Sequence, residues 1–136
     1  MKRLSLLAIL SLVALVGCSH EEDSYQESPK PDTQSVPFDG KNDPAFVGKW
    51  DSVDGRSTMT LSPDGTSRIK SMVMTPGGSQ SGDNAGKWKS ADGNLLIQSG
   101  KGNTVLFYAT FKGKDMLELR RVKTSKIKTV YKRKTA

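Results

Sequence analysis

The chain has 136 residues, a formal net charge of +7, one histidine and one cysteine. A single thiol excludes any intramolecular disulfide, so the fold must hold without that staple. The length, less any leader, suffices for one hydrophobic core and no more. Reading from the start, Lys2 and Arg3 precede an uncharged apolar run over residues 4–16. At about 1.5 Å per residue such a run covers roughly 20 Å, short of a hydrocarbon core of about 30 Å. Its form is that of an export signal and not of a membrane span.

The run ends in Leu15, Val16, Gly17 and Cys18. This tetrad resembles the lipobox of bacterial lipoproteins, with aliphatic and small residues before an obligatory cysteine. The resemblance implies a signal peptide over residues 1–17, cleavage between Gly17 and Cys18, a diacylglycerol on the Cys18 thiol and acylation of the new amino terminus. Several acyl chains meet the requirement that stable anchoring needs more than one. It further implies a lipid-anchored cell-envelope protein. With Ser19 rather than Asp after the cysteine, the destination is the outer membrane if the organism is Gram-negative.

Residues 18–44 read as a lipidated amino terminus and an acidic linker. Pro29, Pro31, Pro37 and Pro44 lie among Ser, Asp and Glu, and only Tyr25, Val36 and Phe38 are sizeable apolar side chains. Such a composition cannot offset its ordering entropy by burial, so disorder is expected. His20 beside Glu21, Glu22 and Asp23 is read as solubilising tail and not as a metal site. Charge changes sign at the boundary. Residues 19–43 carry Glu21, Glu22, Asp23, Glu27, Asp32, Asp39 and Asp43 against Lys30 and Lys41, whereas residues 45–136 carry 17 Lys and Arg against 7 Asp and Glu.

Residues 45–136 are expected to form one basic, all-β domain, an antiparallel meander of about eight short strands closing into a small barrel or sandwich. Strands are predicted over 46–53, 57–62, 66–75, 85–91, 94–99, 104–112, 116–122 and 127–133, because β-prone runs are punctuated by turn residues at near-regular spacing. Asp54-Gly55, Pro63-Asp64-Gly65 and Asp92-Gly93 supply the turn chemistry. Residues 76–84 are glycine-rich and read as a loop longer than the others, with Ser81-Gly82-Asp83-Asn84 a faint echo of a cation-binding loop that is better read as a flexible hairpin tip. Alternation sends Val105, Phe107, Ala109 and Phe111 to one face and Leu106, Tyr108 and Thr110 to the other. Leu117 and Leu119 face inward opposite Glu118 and Arg120, as do Ile127, Thr129 and Tyr131 opposite the lysines of the last strand.

An internal echo supports a meander built twice: Gly48-Lys49-Trp50-Asp51-Ser52-Val53-Asp54-Gly55 recurs 38 residues later as Gly86-Lys87-Trp88-Lys89-Ser90-Ala91-Asp92-Gly93, with six of eight positions identical. Together with the Ser62-Pro63-Asp64-Gly65-Thr66 turn and Asp92-Gly93-Asn94-Leu95, these segments resemble the small lipocalin-like domains of many bacterial lipoproteins, with their Gly-x-Trp strands and Asp-Gly-Thr hairpin. The resemblance covers about residues 45–133. It implies that Trp50 and Trp88 are structural and close the barrel, with a late-strand cation over Trp50, for which Arg120 or Arg121 are candidates.

Catalytic parts are missing from the domain sequence. Residues 45–136 contain neither histidine nor cysteine, so nucleophile-and-base pairs lack members, and most acids fall at turns where Asx hydrogen bonding explains them. No enzyme, metal site or cofactor is expected. The last 25 residues carry ten Lys and Arg against Asp115 and Glu118, which reads Lys126, Lys128, Lys132 and Lys134 either as an anion-binding surface or, equally, as charges that keep edge strands soluble and unpaired. Nucleic acid is not an expected partner, since no aromatic stacking platform interleaves the cations. The function expected is that of a noncatalytic cell-envelope lipoprotein whose barrel binds a small or amphipathic ligand or an anionic envelope component. The alternative is a protein-interaction module, an accessory subunit of an envelope assembly or an inhibitor of a secreted hydrolase, with residues 76–84 as its contact.

Overall fold

The computed structural model describes residues 36–135. The expected signal peptide over residues 1–17, the expected cleavage and lipidation site at Gly17 and Cys18, and the expected linker as far as residue 35, including His20, lie outside the described residues.

A one-turn 3₁₀ helix (Pro44–Phe46) leads into eight strands: β1 (Gly48–Ser52), β2 (Ser57–Leu61), β3 (Thr66–Thr75), β4 (Gly78–Ala91), β5 (Asn94–Ser99), β6 (Thr104–Phe111), β7 (Met116–Arg120) and β8 (Thr129–Arg133). Each strand pairs antiparallel with the next, and β8 pairs back onto β1 through Ser52 opposite Tyr131, so the sheet is a closed meander barrel. Closure pairs every strand on both sides over at least part of its length, which leaves far less edge than an open sheet of this size would expose. Eight strands enclose a space that side chains can just fill.

Local chemistry fixes the register. Asp92 and Gly93 have φ of 52° and 76°, both left-handed, as a two-residue type I′ hairpin demands, and Ala91 consequently faces Asn94. In the β2–β3 turn, the Asp64 carboxylate accepts from the backbone N–H of Thr66 at 2.9 Å and from its hydroxyl at 2.7 Å. The alternation read in β6 and β7 is realised: Phe107, Ala109 and Phe111 pack on the core with Leu117 and Leu119.

Three expectations are corrected. β4 begins at Gly78 and not at residue 85, and its first half pairs with β3 from Thr75 opposite Gly78 to Ile69 opposite Asn84. The long loop over 76–84 is therefore a hairpin arm with a two-residue turn at Pro76 and Gly77, and Asp83 is spent on a bidentate pair with Arg68 (2.9 and 2.6 Å). The arm was hidden because Gly78 to Ala85 carries no apolar alternation; its pairing is set by β3 opposite. Third, β8 starts at Thr129, leaving Ile127 on the preceding turn and 65% exposed.

In an antiparallel meander alternate connections share an end. The turns at 62–65, 92–93 and 112–115 accordingly lie with the 3₁₀ helix, while those at 53–56, 76–77, 100–103 and 121–128 lie at the other end.

Candidate binding end of the barrel

The end that holds the 3₁₀ helix is packed shut. Phe46, Trp50, Trp88, Leu61, Met59, Leu95 and Leu117 are all fully buried. Phe46 packs at 4.9 Å from Phe111 and 6.3 Å from Trp88, in tilted geometry suited to ring quadrupoles. Both indoles are satisfied, since Trp50 Nε1 donates to the Phe46 carbonyl at 2.9 Å and Trp88 Nε1 donates to the Ser62 carbonyl at 2.8 Å. The chain ahead of the barrel is fastened to the same end. Lys41 forms a bridge with Ser90, and the Asn42 amide donates to the Trp88 carbonyl at 2.8 Å.

The cation over Trp50 is Arg133, 4.1 Å from the ring centroid. Arg120 faces outward beside Glu118, and Arg121 lies over Phe107 instead. Arg133 also donates to the carbonyls of Val47, Ala45 and Lys114, so one guanidinium ties the 3₁₀ turn, the β6–β7 turn and β8 together. Its passage explains Gly48: a Cβ there would approach the Arg133 guanidinium to 2.6 Å. The signal was present in the parity of the last strand, where Thr129 and Tyr131 face inward and Arg133 follows two residues on.

The opposite end is built from different material. By register its inward positions include Ser57, Ser71, Gly82, Asn84 and Thr129, none of them buried. Tyr131 reaches toward them from the core, its hydroxyl 3.0 Å from Ser57 Oγ, and burial pushes its phenol up from the ordinary value. Because β2 starts at Ser57 while β3 continues to Thr75, the β3–β4 hairpin overshoots the wall beside it, tied by the Met72 N–H to the Arg56 carbonyl at 2.7 Å. A groove of about 380 Å³ opens in that step, lined by residues 55–58, 70–72 and 81–83. Arg56 and Lys70 bring positive charge to it, and Ser71, Ser81 and Met72 bring hydroxyls and an apolar thioether. Its one carboxylate, Asp83, is held below the usual range chiefly by the Arg68 hydrogen bond. Sequence reasoning passed over Arg56, Lys70 and Met72, whose convergence depends on the hairpin that the glycine-rich composition concealed.

The four expected anion-binding lysines do not converge. Lys126 lies on the β7–β8 turn, Lys132 is in β8, and Lys134 follows it at the closed end, 3.9 Å from Asp51. Lys128 is bound at 2.6 Å to Glu118, which Arg120 also approaches at 3.4 Å. That hydrogen bond from Lys128 is the largest influence holding the Glu118 carboxyl below the usual glutamate range.

Among the described residues no group of three or more His, Cys, Asp or Glu is placed to hold a metal ion, and no helix is long and apolar enough to cross a membrane. Fold and site define a small antiparallel meander barrel, packed at one end and grooved at the other. Compared with family models and with curated proteins, the chain matches none.

Proposed function

We propose that the protein is a noncatalytic lipoprotein of the bacterial cell envelope, anchored through lipid on Cys18, whose lipocalin-like barrel binds an amphipathic ligand or an anionic envelope component at its open end. The groove between the β1–β2 turn and the β3–β4 hairpin carries this reading, because it sets Arg56 and Lys70 beside Met72 with its single acid already paired. Two cations next to an apolar side chain suit a molecule with an anionic head and a hydrocarbon body. The packed core supports binding at the rim over binding deep inside, since the lower interior is taken by Trp50, Trp88, Met59 and Leu117.

Titration of the full chain with dodecyl phosphate, followed by the methionine methyl resonances, tests the reading. Met72 should shift and saturate while the core Met59 and the distant Met116 stay still, and Arg56→Gln with Lys70→Gln should weaken the titration. A Met72 signal that does not move, or that moves no more than Met116, would contradict it.

A second reading has its own support. Residues 78–85 of β4 pair with β3 alone among the described residues, β5 joining only from Gly86. That stretch of edge could accept a strand from a protein partner, which favours the interaction-module reading. Crosslinking in intact cells from position 81 to a single defined protein would support it over the ligand reading.

A further inference from the structure

Among the described residues, the large hydrophobic side chains that are exposed gather at one end of the barrel. The large exposed hydrophobic residues are Val53, Met72, Val73, Met74 and Ile127, each 48–66% accessible. All belong to the open end: Val53 to the β1–β2 turn, the next three to the overshooting hairpin and Ile127 to the β7–β8 turn. Single exposed hydrophobes need no explanation, but a set restricted to one pole does.

Charge is polarised the same way. Turns at the open end carry Arg56, Lys101, Arg121, Lys123 and Lys126 against Asp54, with Lys128 paired to Glu118. Those at the closed end, with the segments leading into and out of it, carry Lys41, Lys112, Lys114, Arg133 and Lys134 against Asp39, Asp43, Asp64, Asp92 and Asp115. One pole is apolar and cationic; the other is mixed and balanced in charge.

We infer that the open end is a docking surface for an anionic lipid bilayer, with the hairpin tip Met72, Val73 and Met74 entering the interfacial region and the surrounding cations meeting the headgroups. The inference rests on the proposed reading, in that it takes the membrane itself to be the anionic envelope component. The geometry favours a bilayer over a folded partner because the apolar side chains stand on three separate projections, two turns and the end of the β3–β4 hairpin. A fluid layer takes each tip independently, whereas a rigid surface would need matching pockets. Cations beside the tips supply the attraction to anionic headgroups that shallow apolar insertion alone lacks. Lys41 is already fastened to the closed end. Between Cys18 and Lys41, a chain rising at most about 3.5 Å per residue has the reach to lay the opposite end on the membrane that Cys18 is expected to enter.

The test uses the full chain carrying Cys18→Ser, which leaves an introduced cysteine as the only thiol, labelled with an environment-sensitive nitrobenzoxadiazole at Val73→Cys or, as a closed-end reference, at Thr135→Cys. Vesicles of phosphatidylglycerol and phosphatidylcholine should shift the label at 73 to the blue and expose it to quenching by brominated acyl chains. The label at 135 should stay unchanged, and pure phosphatidylcholine should move neither. Lys123→Gln and Lys126→Gln should each weaken partitioning about five-fold, the scale set by one cation near an anionic leaflet. A label at 73 that remains in water, or that responds no more than the one at 135, overturns the docking surface. If dodecyl phosphate still shifts Met72 in that case, only the docking inference fails; if it does not, the reading beneath it fails too.

Discussion

At the end where β1 begins, two tryptophans, two phenylalanines and one arginine fill the barrel and hand every indole and most guanidinium N–H groups to a carbonyl. At the end where β1 finishes, serines, a glycine and an asparagine line the mouth, and the apolar residues point outward. The same eight strands support both, so the difference lies in what each end does with its large side chains. Where they turn inward they supply stability; where they turn outward they cost little to change and are available to a partner. The paired Gly-x-Trp segments make the point, since both deliver their tryptophan to the closed end.

The widest gap between the ends should appear in denaturant. Trp50→Ala removes a fully buried indole, its bond to Phe46 and the seat of Arg133, and should cost about 3–5 kcal/mol in a urea titration. Val73→Ser, at 57% exposure on the open end, should change the same midpoint by no more than about 0.5 kcal/mol. Equal losses would erase the distinction. Next in size, Arg133→Gln should cost about 2 kcal/mol, the worth of charge-assisted bonds to backbone carbonyls. It should also loosen the 3₁₀ turn, seen as faster amide exchange at Phe46 and Val47.

A smaller effect is set by pH. Glu118 has its carboxyl held low in the folded state, so its contribution is present above the ordinary glutamate range and lost as pH falls through the depressed folded value. Urea midpoints followed from neutral pH downward should drop across that acid window, and Lys128→Gln should flatten the drop by returning Glu118 toward its ordinary value. A steeper drop in the variant would contradict the assignment. Smallest of all, Arg68→Gln should leave the midpoint unchanged within error, because its pair with Asp83 is solvent-exposed on both sides.

Much of this barrel is legible in the sequence. Asp-Gly turns and period-two alternation placed all eight strands, because β-turn chemistry and one-sided burial act over a few residues. What escaped depends on partners far along the chain. Residues 78–85 are too polar and glycine-rich to announce a strand, and they become one because β3 opposite supplies the template. Arg133 lies 83 positions from Trp50, so only the parity of the last strand hinted at their stack. Lys126, Lys128, Lys132 and Lys134 cluster in sequence but not in space, since the run from the β7–β8 turn through β8 spreads residues 126–134 from one end toward the other and two of them are ion-paired. The concentration of apolar tips at one pole follows from the strand directions, which order the turns alternately to either end.

Hydrogen–deuterium exchange on the full chain, with and without vesicles containing phosphatidylglycerol, tests the division of labour most directly. The account predicts slowest exchange at the closed end in both conditions, and new protection confined to residues 53–58, 70–83 and 121–128. Protection gained instead over residues 44–50, 62–65 or 111–117 would contradict it.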